Sequence, residues 1–318
     1  MERALITGIG GQDGYYLSLL LREKGYEVFG LDIGESRGDH CFVADITDPA
    51  SLVPVLQASR PQEIYHLAAQ SSVAASHDDR EATVSVNARG LANLVEAAGK
   101  AGIDPASLRV CQASSSEIFG YRTAGPLDEL SPRRPETPYG LSKLMAHEFA
   151  VELRSRGVFA CNAILFNHES PLRPEEFVTQ KIAIGVAKIA AGLEETITLG
   201  DTSICRDWGF AGDYVEAMWL MLQRDVPDDY VIASGEPHSI SDFLELAFEH
   251  VGIADWDRRV KVDDRFIRPV DATVLYGNPE KARRLLGWKP RVSFDGLVAM
   301  MVDAAVERIG SSPVNPPK

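Results

Sequence analysis

The first half of the chain repeats one pattern, a short apolar run followed by an amphipathic stretch. The runs RALIT (3–7), EVFGLD (27–32), EIYHLAA (63–69), LRVCQAS (108–114) and FACNAILF (159–166) have the length of buried strands. Helical periodicity fills 14–24, 48–59, 81–102 and 138–156 between them. This alternation leaves few solutions: parallel strands joined by right-handed crossovers, with helices on both faces of one sheet. After Phe166 the texture changes. Turn-rich stretches, NHESPLRPEE and LGDTSICRDWG, flank an amphipathic helix, FVTQKIAIGVAKIAAG. VEAMWLMLQ and DYVIASG read as one more helix–strand unit returning to the sheet. The stretch from ISDFLELAFEHVG to LVAMMVDAAVERIG reads as helices with an extended piece around Arg268, and the tail SSPVNPPK as frayed.

The first strand runs straight into Thr7-Gly8-Ile9-Gly10-Gly11-Gln12-Asp13-Gly14, which opens a helix. Gly8, Gly11 and Gly14 give a tight turn, a close backbone approach to a pyrophosphate and close helix–strand packing. The helix start offers free N–H groups and a positive dipole end to phosphates. A Gly-rich turn alone is weak, but the strand before it and Asp32, 18 residues beyond Gly14, strengthen it. The expected fold is therefore α/β, a Rossmann-type doubly wound parallel sheet, with a smaller, mostly helical C-terminal substrate domain. Residues 1–166, rejoined by 206–236, form the NAD(P)-binding part; 167–205 and 237–318 form the smaller one. The Asp32 carboxylate suits a ribose and repels a 2′-phosphate, favouring NAD. Arg37 can reverse that preference by binding the phosphate, and Asp45 and Ile46 suit the adenine edge.

Tyr139 and Lys143 form a YxxxK pair one turn apart on the helix that Pro138 starts. The lysine, with a nicotinamide beside it, is expected to lower the phenol pKa so that the phenolate takes a hydroxyl proton as hydride leaves. YxxxK is common by chance; its place after the Gly-rich βαβ units gives it weight. The strand ending near Ala113 delivers Ser115 to the ligand side of the sheet, where its hydroxyl can donate to the same substrate oxygen. Glu117 adds a second acid/base and suggests a second proton transfer, although a capping or solvated carboxylate fits the spacing equally well.

Composition narrows the partners. With 32 Lys and Arg against 46 Asp and Glu, the formal charge of −14 argues against nucleic acid or an anionic membrane as the main partner. No apolar run is long enough to span a bilayer and no signal peptide is visible, so a cytoplasmic location is expected. Cys41, Cys111, Cys161 and Cys205 stand far apart, with no ligand spacing, so no metal site is expected.

Taken together, ALITGIGGQDGYYL, HLAAQSSVAAS, QASSSEIFG, TPYGLSKL, ILFNHESPLRPEEFVTQKI, RDWGFAGDYVEAMWLML and GNPEKARRLLGWKPRVSFDGL resemble the extended short-chain dehydrogenase/reductase superfamily. Within it the chain resembles the GDP-mannose 4,6-dehydratase family, NHESP and RDWGFAGDYVEAMW being the most specific stretches. The resemblance implies a redox-neutral lyase: C4 oxidation with Tyr139 and Lys143, C5 deprotonation by Glu117, loss of water from C6, and hydride return to C6. It places Leu67, Ala68, Ala69 and His168 on an NAD(P) cofactor. It places Ser71, Asn167, Val178, Lys181, Arg206, Arg268 and Asp271 on a GDP-sugar. A homodimer pairing helices 81–102 and 138–156 is implied. The segment LDIGESRGDHCFVAD is shorter and more acidic than the family's, which favours NAD over the family's usual NADP and speaks against a tetramer. A dehydratase or epimerase of another GDP-sugar, such as a GDP-manno-heptose, and a non-catalytic NAD(P)-sensing protein are the competing functions.

Overall fold

The computed structural model describes residues 1–34, 40–121, 125–266 and 274–311. In chain order, β1 (Arg3–Thr7), α1 (Gln12–Glu23), β2 (Glu27–Asp32), β3 (Cys41–Val43), α2 (Pro49–Ser59) and β4 (Glu63–His66) come first. Then follow α3 (Val73–Asp78), α4 (Arg80–Lys100), β5 (Arg109–Ser115), α5 (Pro138–Ser155) and β6 (Phe159–Leu165). Beyond them lie β7 (Asn167–Glu169), α6 (Val178–Ala190), β8 (Ile197–Leu199), β9 (Cys205–Phe210), α7 (Ala211–Leu222) and β10 (Asp229–Ile232). The chain closes with β11 (Pro237–Ser239), α8 (Ile240–His250), β12 (Val260–Val262), β13 (Val274–Leu275), α9 (Glu280–Leu286) and α10 (Phe294–Ser311).

Seven parallel strands form the central sheet in the order β10-β6-β5-β4-β1-β2-β3. Strand β10 pairs with β6, so the second helix–strand unit does return to the sheet. Alternation within β1 divides the core. Ala4 and Ile6 pack with Leu17, Leu21 and Met218 of α1 and α7, while Leu5 packs with Leu52, Leu91 and Leu94 of α2 and α4. Each such fully buried leucine contributes about 1.5–3 kcal/mol of burial free energy. Both faces are therefore sealed, as a doubly wound Rossmann-type sheet requires.

The chain leaves β1 for β2 on one side, and β4 lies on the other. That reversal opens a crevice beyond the carboxyl ends of the strands, where Gly8, Ala68, Ser115 and Tyr139 come together. Helices α6, α8 and α10 pack on one another around Trp208 and Phe243, and the starts of α6 and α8 line the crevice with Val178, Thr179, Lys181 and Ile240. Two small sheets, β11-β9-β13 with β7 on β9, and β12-β8, lie in the stretches expected to be turn-rich or helical. Strands of three residues carry too little alternation to be read from sequence. For the same reason β3 went unpredicted. The extended piece around Arg268, and Arg37 and Asp271, lie outside the described residues.

Candidate active site

The crevice has a volume of about 1860 Å³ and runs from the Gly-rich turn to the start of α6. At its first end Gly8 takes φ +73°, and a Cβ there would stand 2.9 Å from Ala68 Cα. A Cβ on Gly14 would lie 2.5 Å from the Gly8 carbonyl, so α1 packs on the turn only with glycine at that position. Gly11 is different: its Cβ would meet only Gly8 O, at 3.4 Å. As N-cap it offers no side chain, leaving the first N–H groups of α1 open to an anion. Asp32 sits at the end of β2 and accepts from Gly10 N (2.9 Å) and Ile33 N (2.8 Å). Asp45, which accepts from Thr47, lines the same end with Ile46, Leu67, Ala68 and Ala69.

Behind the turn a polar group ties α1 to β7. His168 bridges the Phe166 carbonyl (2.8 Å) and Asp13 Oδ2 (2.9 Å). Gln12 donates to the His168 carbonyl (3.0 Å) and accepts from Ser170 (2.7 Å). Burial alone would raise the Asp13 carboxyl, but the His168 charge and hydrogen bond outweigh it and hold it below the carboxylate range. Burial likewise opposes charge on His168, and Asp13 overrides it, so the imidazole is raised above its ordinary value.

Pro138 at the first position of α5 and Thr137 as its N-cap, accepting from Gly140 N (2.9 Å), set the helix that carries Tyr139 and Lys143. Lys143 donates to the Ala113 carbonyl (2.9 Å), with its nitrogen 5.8 Å from the Tyr139 ring centre. Burial pushes the Tyr139 phenol up to about 12, against the Ser115 hydrogen bond and the Arg173 charge, which pull it back. Burial also takes Lys143 itself down to about 8, with Asp13 opposing. Ser115 ends β5 and its hydroxyl caps the following 3₁₀ turn by accepting from Glu117 N (3.2 Å). Glu117 lines the crevice and raises the Tyr139 phenol by its charge, so the carboxylate and the phenol lie near each other.

Asn167, Lys181, Val178, Ser71 and Arg206 also line the crevice. The α6 helix starts there without a side-chain cap, and Arg206 is buried in β9. The Lys181 ammonium lies 4.0 Å from the Phe266 ring centre. Two helix starts without a side-chain cap, α1 and α6, thus open onto one crevice. Gln180, on the first turn of α6, is buried against the Pro171 carbonyl and does not line the crevice.

Arg173 escaped the sequence reading. It pairs with Glu169 at 3.1 Å, lies 3.5 Å from the Phe177 ring centre, and lines the crevice as the cation that pulls on Tyr139. Only its position two residues after the NHESP stretch pointed to it. Among the described residues no group of His, Cys, Asp and Glu is placed to hold a metal ion, and no helix is long and apolar enough to cross a membrane.

The family model described as GDP-mannose 4,6 dehydratase matches residues 5–301. The chain belongs to the GDP-mannose 4,6-dehydratase family. It is 45% identical over 325 residues to GDP-mannose 4,6 dehydratase 1 of Arabidopsis thaliana, covering 96% of this chain and 90% of the relative. To GDP-mannose 4,6 dehydratase of Homo sapiens it is 42% identical, covering 98% of this chain and 93% of that one. Among solved structures, a dTDP-glucose 4,6-dehydratase of Streptomyces venezuelae with NAD bound superposes with a TM-score of 0.81 at 26% identity, covering 97% and 98% of the two chains.

Proposed function

We propose that this member of the family converts GDP-mannose to GDP-4-keto-6-deoxymannose with loss of water. The observation that carries this reading is the convergence of Ser115, Glu117 and Tyr139 on one crevice onto which two helix starts without side-chain caps open. Gly8, Gly11, Gln12, Asp13, Gly14, Asp32, Asp45, Ile46, Leu67, Ala68, Ala69, Lys143 and His168 would hold NAD(P). The Asp32 carboxylate favours NAD. Asn167, Val178, Lys181, Arg206 and Ser71 would hold the GDP-sugar, guanidinium and ammonium groups suiting its diphosphate. The division into an NAD(P)-binding part (1–166 with 206–236) and a substrate part (167–205 with 237–318) is supported by the central sheet and by the packing of α6, α8 and α10 on one another.

A bound nicotinamide dinucleotide supplies the hydride acceptor and, later, the hydride donor. Tyr139 takes the C4 hydroxyl proton while Ser115 donates to the same oxygen. The resulting ketone acidifies C5, because the carbanion formed there can delocalise into the carbonyl. Glu117 removes the C5 proton and delivers a proton to the departing C6 hydroxyl, releasing water. Return of the hydride to C6, with release by Tyr139 of the proton it took from the C4 hydroxyl and gain of one proton at C5, would restore the saturated ring, so the net change is loss of one water. Without Glu117 the same site could only oxidise and reduce C4.

Purified protein incubated with GDP-mannose or GDP-manno-heptose, without added cofactor, tests the reading. A 4-keto-6-deoxy product from GDP-mannose is expected. Product from the heptose alone assigns another sugar, and product from neither removes the dehydratase assignment.

A further inference from the structure

The turn that carries Glu117 continues into a residue the mechanism has not used. The 3₁₀ turn Ser116–Phe119 stops at Gly120, whose φ of +70° is suited to glycine and whose Cβ would collide with the Arg134 carbonyl. The reversal brings Tyr121 back over the turn. Its hydroxyl donates to Glu117 Oε2 at 2.5 Å, while its ring packs against the cluster of Ile118, Phe119, Leu127 and Phe166. Thr137 approaches the same oxygen at 3.5 Å. Tyr121 does not line the crevice, so it meets substrate only through Glu117.

We propose that Tyr121 is the positioning residue of the elimination step: its phenol fixes the Glu117 carboxylate toward the sugar and tunes its exchange of a proton between C5 and the C6 oxygen. The proposal rests on the dehydratase reading above. A donated hydrogen bond favours the carboxylate over the acid. Once Glu117 has taken the C5 proton, the bond to Tyr121 weakens, and the acid gives its proton up more readily to the departing hydroxyl. Tyr139 feels the Glu117 charge, so the oxidation of C4 is followed separately, through reduction of the cofactor.

The test is Tyr121→Phe, which keeps the ring in its apolar seat and removes only the hydroxyl. Turnover should fall by about tenfold to a hundredfold, the range for losing a hydrogen bond to a charged group. KM for GDP-mannose should stay near the wild-type value. The acid limb of the pH–rate profile should move to higher pH, and bound cofactor should stand reduced during steady state, because oxidation continues while elimination lags. If the phenylalanine variant fails to fold by its melting curve, fluorotyrosine inserted at position 121 replaces it. Its stronger donor should move the acid limb to lower pH. An unmoved limb with no reduced cofactor, in a wild type that makes the keto-deoxy product, overturns the role of Tyr121 alone. A wild type that makes no such product overturns the dehydratase reading and this proposal with it.

Discussion

In the proposed reaction Tyr139 and Glu117 divide the chemistry, and burial sets the terms for the phenol. Burial holds the Tyr139 phenol up at about 12, so the proton transfer needs positive charge beside it, as a nicotinamide ring would supply. Glu117 acts only after the ketone exists. Glu117→Gln should therefore lower turnover by about 10²-fold or more while leaving C4 oxidation intact. Stopped-flow absorbance should then show bound cofactor reduced and staying reduced. His168 and Asp13 make a separate test at this scale. Because His168 is raised above 6.5, its contribution to stability is complete below that value and is lost as pH rises through the shifted one. Asp13 is depressed, so its share is present above the ordinary carboxylate value and is lost as pH falls through the shifted one. NMR titration should find the His168 imidazolium persisting above 6.5 in the wild type and reverting toward 6.5 or below in Asp13→Asn. Tyr139, Lys143, Ser115 and Glu117 could be singled out from sequence because each sits in a short local motif. The Asp13–His168 pair, across 155 residues, and the Arg173 charge on Tyr139 depend on the folded crevice. The burial that raises the phenol is likewise a property of the packed site.

Among the elements, the turn between β1 and α1 does most to place the site, and its glycines are not equivalent. Gly14→Ala puts a methyl group 2.5 Å from the Gly8 carbonyl and 2.6 Å from Ile9 Cα, both backbone atoms. It should cost about 1–3 kcal/mol of stability, read as a lowered melting temperature. Gly11→Ala meets only one atom, at 3.4 Å, and should melt near the wild type while binding NAD at least several-fold more weakly by calorimetry. Equal behaviour of the two variants would contradict the division between packing and ligand approach. The central strands and their helices were legible because each strand is a nearly continuous apolar run ending at a turn signal. Strands β3, β7 and β11 were not: three residues at an edge or in a small sheet are fixed by their partners rather than by their own pattern.

For the whole molecule, a homodimer is the proposed assembly. Leu141 and Met145, one turn apart on α5, are 42% and 46% exposed in the single chain. Replacing both by Asp should convert a dimer to a monomer in sedimentation, with the central sheet intact by circular dichroism; a wild-type monomer would remove the assembly. The larger claim is that one crevice oxidises a hexose and then reduces the same ring. GDP-mannose carrying deuterium at C4 tests it most directly. The account predicts that the label reappears on the C6 methyl group of the keto product, seen by NMR, with no net change in cofactor. Label retained at C4, or a product that keeps its C6 hydroxyl, would contradict it.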